Sequence, residues 1–127
     1  MRIVVVDDEQ PTMQFCVTVL ERKGHAVEGF TRAEDALRTL VAEPADLLVV
    51  DYKMPGMSGF DLVRRVRATH PGLPAMMITG HGTREVLDEA ERTPLSGVLM
   101  KPFTVDELSR AVTTVLAGGR ISSGLPR

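Results

Sequence analysis

Four short apolar runs along this chain each end in a polar residue. Ile3-Val4-Val5-Val6 leads into Asp7-Asp8, and Leu47-Leu48-Val49-Val50 leads into Asp51. Ala75-Met76-Met77-Ile78 leads into Thr79, and Val98-Leu99-Met100 leads into Lys101. Runs without alternation fit strands that are buried on both faces. A further strand is expected near Ala26 to Phe30. Between the runs, apolar residues recur at helical spacing. Met13, Cys16, Val17 and Leu20 follow the i, i+3, i+4, i+7 pattern. Pro11 stands near the start of that helix, where a missing N–H costs little, and Gly24 suits its end. Thr31 and Glu34 have capping-box spacing ahead of a helix with Ala33, Ala36, Leu37 and Leu40 on its apolar face. Pro44 stops it. Ser58 and Asp61 cap a helix that turns Leu62, Val63 and Val66 inward. Thr83, Val86, Leu87 and Ala90 mark a shorter fourth helix, ended before Pro94. Thr104 and Glu107 cap the last, whose stripe is Leu108, Ala111, Val112 and Val115.

Five strands alternating strictly with five helices predict an α/β fold. The expected form is a flavodoxin-like (βα)5 three-layer sandwich, with a parallel five-stranded sheet between helical layers. Right-handed crossovers leave few topologies, and strand order 2-1-3-4-5 is the favourite. Residues 118–127 are rich in Gly, Ser and Pro and read as a flexible tail or the start of a linker. One domain over residues 1–117 remains.

Composition narrows the class. A chain of 127 residues, 43% hydrophobic, has enough apolar content for one packed core. No apolar run approaches the roughly 18 residues of a membrane span. The start of the chain lacks a secretory pattern, and the single cysteine, Cys16, rules out an internal disulfide. Both fit a reducing cytoplasm. Net charge is −2, and no basic stripe with interleaved aromatics is present. Direct nucleic-acid binding by this chain is not expected.

Parallel strands would bring Asp7, Asp8, Asp51, Thr79 and Lys101 to one edge of the sheet. The first and third strands lie side by side at the switch point, where ligands bind beyond the carboxyl ends. Two carboxylates about 4 Å apart at an effective dielectric near 20 repel by roughly 4 kcal/mol. Lys101 offsets part of this. A hard cation offsets more, and Mg2+ fits because it takes one or two carboxylates and shares its shell with phosphate oxygens. Mn2+ is not excluded. An ionised Asp is also a competent nucleophile toward phosphorus. In this reading Asp51 attacks, and Asp7 and Asp8 hold the metal with the backbone carbonyl of Lys53. Lys101 pairs with one phosphate oxygen, and the Thr79 hydroxyl donates to another.

Four blocks of sequence carry a resemblance. They are VVVDDE at Val4 to Glu9, LLVVDYKMPGMSG at Leu47 to Gly59, MMITGHG at Met76 to Gly82, and GVLMKPFT at Gly97 to Thr104. In this order they resemble the response-regulator receiver domain of two-component signalling, including the chemotaxis regulators, over about residues 2 to 117. The resemblance implies transient phosphorylation of Asp51 by a phosphohistidine on a sensor histidine kinase or histidine phosphotransfer protein. It also implies slow self-dephosphorylation, an acidic pair for Mg2+, a switch hydroxyl at Thr79 and a cis Lys101–Pro102 bond. The face made by the fourth helix, fifth strand and fifth helix would then change shape. That face would engage an output partner, an output domain outside this chain, or a second copy in a dimer. Lys53 and His81 occupy positions that tune phosphate lifetime in the family. Many members carry Tyr or Phe three residues before the lysine, where this chain has Val98.

Plainer readings stand beside these. The methionines at 54, 57, 76, 77 and 100 read as core filler, and Cys16 as inert. Gly56 and Gly59 read as backbone fittings of the loop after Asp51. Arg64, Arg65 and Arg67 read as a solvated helix face, with a kinase-docking role as the alternative. The expected function is a phosphoacceptor switch, not a turnover enzyme. One alternative is a small phosphatase of the haloacid-dehalogenase type, but that needs a D-x-D-x-[TV] loop where this chain has Asp7-Asp8-Glu9-Gln10-Pro11. The other is a pseudo-receiver that binds partners without phosphorylation.

Overall fold

A computed structural model of the chain describes residues 1–80 and 83–123. The elements alternate as the apolar pattern requires. They run β1 (Arg2–Val6), α1 (Gln10–Arg22), β2 (Ala26–Phe30), α2 (Ala33–Ala42), β3 (Leu47–Asp51) and α3 (Gly59–Arg67). Then follow β4 (Ala75–Thr79), α4 (Thr83–Arg92), β5 (Gly97–Met100), α5 (Val105–Leu116) and β6 (Ile121–Ser123). All pairings are parallel, in the order β2-β1-β3-β4-β5-β6. The expected 2-1-3-4-5 order is present and is extended by one strand. That sixth strand lies in the segment expected as a tail or linker. Residues 124–127 lie outside the described residues.

Alternate residues of each central strand enter opposite halves of the core. Val4, Val6, Leu48, Val50, Met77 and Val98 pack under α2, α3 and α4. Ile3, Val5, Leu47, Val49, Met76, Ile78 and Leu99 pack under α1 and α5. Strand β3 is buried along its whole length, so both helical layers press on the strand that carries Asp51. Met57, Met76 and Met77 are core residues, as expected.

Two of the three expected capping boxes form. Ser58 Oγ accepts from Asp61 N–H at 3.1 Å, and Asp61 Oδ2 accepts from Ser58 N–H at 3.2 Å. Thr104 and Glu107 make the same reciprocal pair at the start of α5. The Thr31–Glu34 box does not form. Helix α2 starts at Ala33, which makes Arg32 the N-cap, and no side chain caps it. Thr31 is one residue too early. Among the described residues, no helix is long and apolar enough to cross a membrane.

Candidate functional site

The register of β1 against β3 builds the site. Val6 pairs with Val50, so the next residues, Asp7 and Asp51, leave the sheet side by side. Asp51 pairs with Ile78 on β4, and Thr79 pairs with Met100 on β5. Thr79 and Lys101 therefore leave the same edge. The Lys101–Pro102 peptide is cis, as the resemblance implied. Gly59, at the start of α3, lies so close to β3 that a Cβ there would sit 2.4 Å from the Asp51 carbonyl oxygen. This is the functional meaning of a glycine read from sequence as a loop fitting.

A cavity of about 320 Å³ opens at this edge, lined by Asp8, Glu9, Asp51, Lys53, Thr79, Gly80 and Lys101. Asp7 lies behind it with no exposed surface, whereas Asp8 is exposed. Asp51 is 7% exposed and Thr79 1%. Lys101 Nζ stands 2.9 Å from Asp7 Oδ2, 3.1 Å from Glu9 Oε1 and 3.5 Å from Asp51 Oδ1. Asp7 Oδ1 accepts the Glu9 N–H at 2.9 Å. The structure thus brings together Asp7, Asp8, Asp51, Lys53, Thr79 and Lys101. His81 lies outside the described residues. Glu9 is the site residue missed in the sequence, and its only signal there was its place directly after the acidic pair.

The acids dominate the electrostatics. Burial pushes the Asp51 carboxyl up to about 7, and the Asp7 charge adds to the shift, against the pull of Lys101. Burial also raises Asp7, with Lys101 and the Glu9 N–H opposing it. Burial alone would lower the Lys101 ammonium, but its contacts with Asp7 and Glu9 and the Asp51 charge outweigh that, and the net shift is upward. One ammonium therefore serves three acids.

The donor set fits a hard divalent cation. Asp7, Asp8 and Asp51 each present a carboxylate oxygen within 4.8 Å of the others. Asp7 Oδ2 is buried and faces the Lys101 ammonium at 2.9 Å, a charge that Asp7 shares with Glu9 and Asp51. Buried carboxylates that share one counter-charge are costly, and a divalent cation among them would offset that cost.

One sequence reading changes here, and the expectation for Val98 holds. Arg64 and Arg67 are not a merely solvated face. Arg64 reaches from α3 to Glu89 and Thr93 at the far end of α4, at 3.1 and 2.9 Å. Arg67 donates to the carbonyls of Leu73 and Pro94. Val98, in place of an aromatic, is 5% exposed and packs in the core beneath α4.

Comparison with known proteins agrees with this geometry. The two-component response regulator PhoP of Pseudomonas aeruginosa is 33% identical over 98% of this chain, which spans 54% of that protein. The chain thus covers about half the length of that relative. The chemotaxis protein CheY of the same organism is 33% identical over 91% of this chain and 95% of its own length. A solved two-component response regulator of the LuxR family from Aurantimonas superposes with a TM-score of 0.86 at 29% identity, over 97% of this chain and 89% of that one. A match to the response regulator receiver domain covers residues 3–113, from β1 into α5. Fold, strand-end chemistry and sequence match therefore converge, and the chain belongs to the response regulator receiver domain family, a signalling domain and not a classical enzyme.

Proposed function

We propose that Asp51 is the phosphoacceptor of a signalling switch and that a phosphohistidine on a partner protein is the donor. The observation that carries this reading is the single ammonium of Lys101, 2.9 Å from Asp7 and 3.5 Å from Asp51 at the mouth of the cavity. Strand-end carboxylates with so little compensation suit a site made to receive a cation and a phosphoryl group. Asp7, Asp8, Asp51 and the Lys53 carbonyl would hold Mg2+, or Mn2+ in its place. The bound cation supplies positive charge beside the transferring phosphoryl oxygens.

The chain's own groups do the rest. One Oδ of Asp51 attacks phosphorus as the P–N bond to the donor imidazole breaks, and solvent supplies the proton that the imidazole takes up. Such transfer needs positioning and charge neutralisation more than covalent help. Lys101 pairs with one phosphoryl oxygen, and the Thr79 hydroxyl donates to another. Water later attacks the acyl phosphate, which limits the lifetime of the signal. Lys53, exposed at the rim, stands where it would tune that step. Thr79 pairs with Met100 across the β4–β5 ladder, so its movement would be felt along β5 and on the α4–β5–α5 face. The output partner, or an output domain beyond this chain, would read that face. A cytoplasmic site of action follows from a kinase partner of this kind.

Incubation with acetyl phosphate and MgCl2, followed by intact mass measurement, tests the reading. A mass gain of one phosphoryl group is expected in the wild type only when the cation is present. No gain, or an equal gain in Asp51→Ala, would overturn it.

A further inference from the structure

Glu9 reaches Lys101 because its main chain is held and its carboxylate is free. Its N–H donates to Asp7 Oδ1 at 2.9 Å, and its carbonyl accepts the Met13 N–H at 3.0 Å. It is the N-cap of α1, a position where Ser, Thr, Asp or Asn would turn a side-chain oxygen back onto the first helical N–H groups. The Glu9 side chain makes no such cap. It crosses instead to the end of β5, where Oε1 accepts from Lys101 Nζ at 3.1 Å. An acid beside the positive end of a helix needs no further purpose. This one nevertheless bonds to a site residue 92 positions away in the chain.

An ammonium has three N–H donors and no acceptor. Lys101 faces three carboxylates, Asp7 at 2.9 Å, Glu9 at 3.1 Å and Asp51 at 3.5 Å. A phosphoryl oxygen arriving in the cavity needs one of those directions. The three partners differ in what their departure costs. The Asp7 side chain has no exposed surface, so breaking its contact strands a buried charge. Asp51 is the reacting group. The Glu9 side chain is 65% exposed and returns to water, and a pair so exposed is weak. Glu9 also lines the cavity that receives the phosphoryl group.

We propose that Glu9 is a placeholder for the phosphoryl oxygen: its carboxylate occupies the ammonium direction that the phosphoryl group takes over, and its displacement is part of the work of phosphorylating Asp51. Asp7 alone keeps Lys101 at the strand ends, so Glu9 competes with the incoming group and does not assist it. Glu9 acts through Lys101 and touches no reacting atom. The role rests on Asp51 being the phosphoacceptor.

Two variants test it. Glu9→Ala removes the carboxylate. Glu9→Asp keeps the charge on a shorter side chain, and Asp, as a preferred N-cap, turns toward the α1 N–H groups and away from Lys101. Two quantities are read: the rate of phosphorylation by acetyl phosphate with MgCl2, and, in the metal-free protein, exchange of the Lys101 ammonium protons with water by NMR. We expect both variants to be phosphorylated about threefold faster than the wild type, the scale of one exposed ion pair. Both should also exchange the ammonium protons faster. A gain in rate in only one variant, or in neither, overturns the competition; in Glu9→Ala alone, it would mean that Glu9 acts as a repelling charge at the cavity mouth and not through Lys101. Unchanged ammonium exchange overturns the hold on Lys101. A wild type that takes up no phosphoryl group overturns the phosphoacceptor reading and this role with it, whereas the other failures leave that reading standing.

Discussion

The ammonium of Lys101 lies 2.9 Å from Asp7 Oδ2, and Asp7 has no exposed surface. The pair ties the end of β5 to the end of β1 across the two strands between them. Lys101→Ala would leave a buried carboxylate with no cation beside it. Breaking such a pair costs about 3 kcal/mol. Chemical denaturation of the metal-free protein near neutral pH should show a loss of that order. The loss should shrink in excess MgCl2, where a second source of positive charge is present. A loss of equal size with and without Mg2+ would mean that the cation does not enter this cluster.

Asp51 gives a stability signature in pH. Its carboxyl titrates at about 7 in the fold, against an ordinary 3.8. Between those values the folded state holds a proton that the unfolded state has released. Stability attributable to Asp51 is therefore greatest below pH 3.8, falls as pH rises toward 7, and is flat beyond it. Asp51→Asn removes this slope. Without metal, the variant should exceed the wild type above pH 7, by on the order of 2 kcal/mol, and the two should converge in acid. Urea melts at a series of pH values decide it. Wild type and variant changing in parallel across the window would contradict the assignment.

Gly59→Ala places a methyl group 2.4 Å from the Asp51 carbonyl oxygen and 2.7 Å from Met77 Sδ. The backbone of β3 has little freedom to retreat, because it is buried along its length. A destabilisation of about 2 kcal/mol is expected, as for overpacking elsewhere. Slower phosphorylation by acetyl phosphate should accompany it, since Asp51 is displaced. Gly72→Ala is the control, with nothing within 4 Å of its added Cβ.

Arg64 links α3 to the end of α4 through Glu89 and the buried hydroxyl of Thr93. Arg64→Ala should cost about 1 kcal/mol and speed amide exchange in the last turn of α4. Arg65→Ala, on the exposed side of α3, should do neither.

The strand-end chemistry was legible because each relevant strand is a continuous apolar run that stops at its polar residue. In a parallel sheet, every such stop falls on the same edge. Asp7, Asp51, Thr79 and Lys101 could be placed together without a single distance. What the sequence hid depended on one-residue offsets or on partners far along the chain. Thr31 looked like a cap, but packing of Ala33 and Ala36 sets the start of α2 beyond its reach. Arg64 and Arg67 looked solvated, because their acceptors lie on α4 and in the loops before β4 and β5. Strand β6 is three residues long and has one apolar side chain, so it gives no periodic signal. Gly118-Gly119 read as linker composition, although the pair is the helix stop that aims β6.

The most direct measurement identifies the residue that carries the phosphoryl group. The protein would be phosphorylated with acetyl phosphate and MgCl2, reduced with borohydride to convert an acyl phosphate into homoserine, and digested for peptide mass spectrometry. Homoserine at position 51 alone, and none when Mg2+ is omitted, is the predicted result. Homoserine at position 7 or 8 in place of 51, or at no position, would contradict the account.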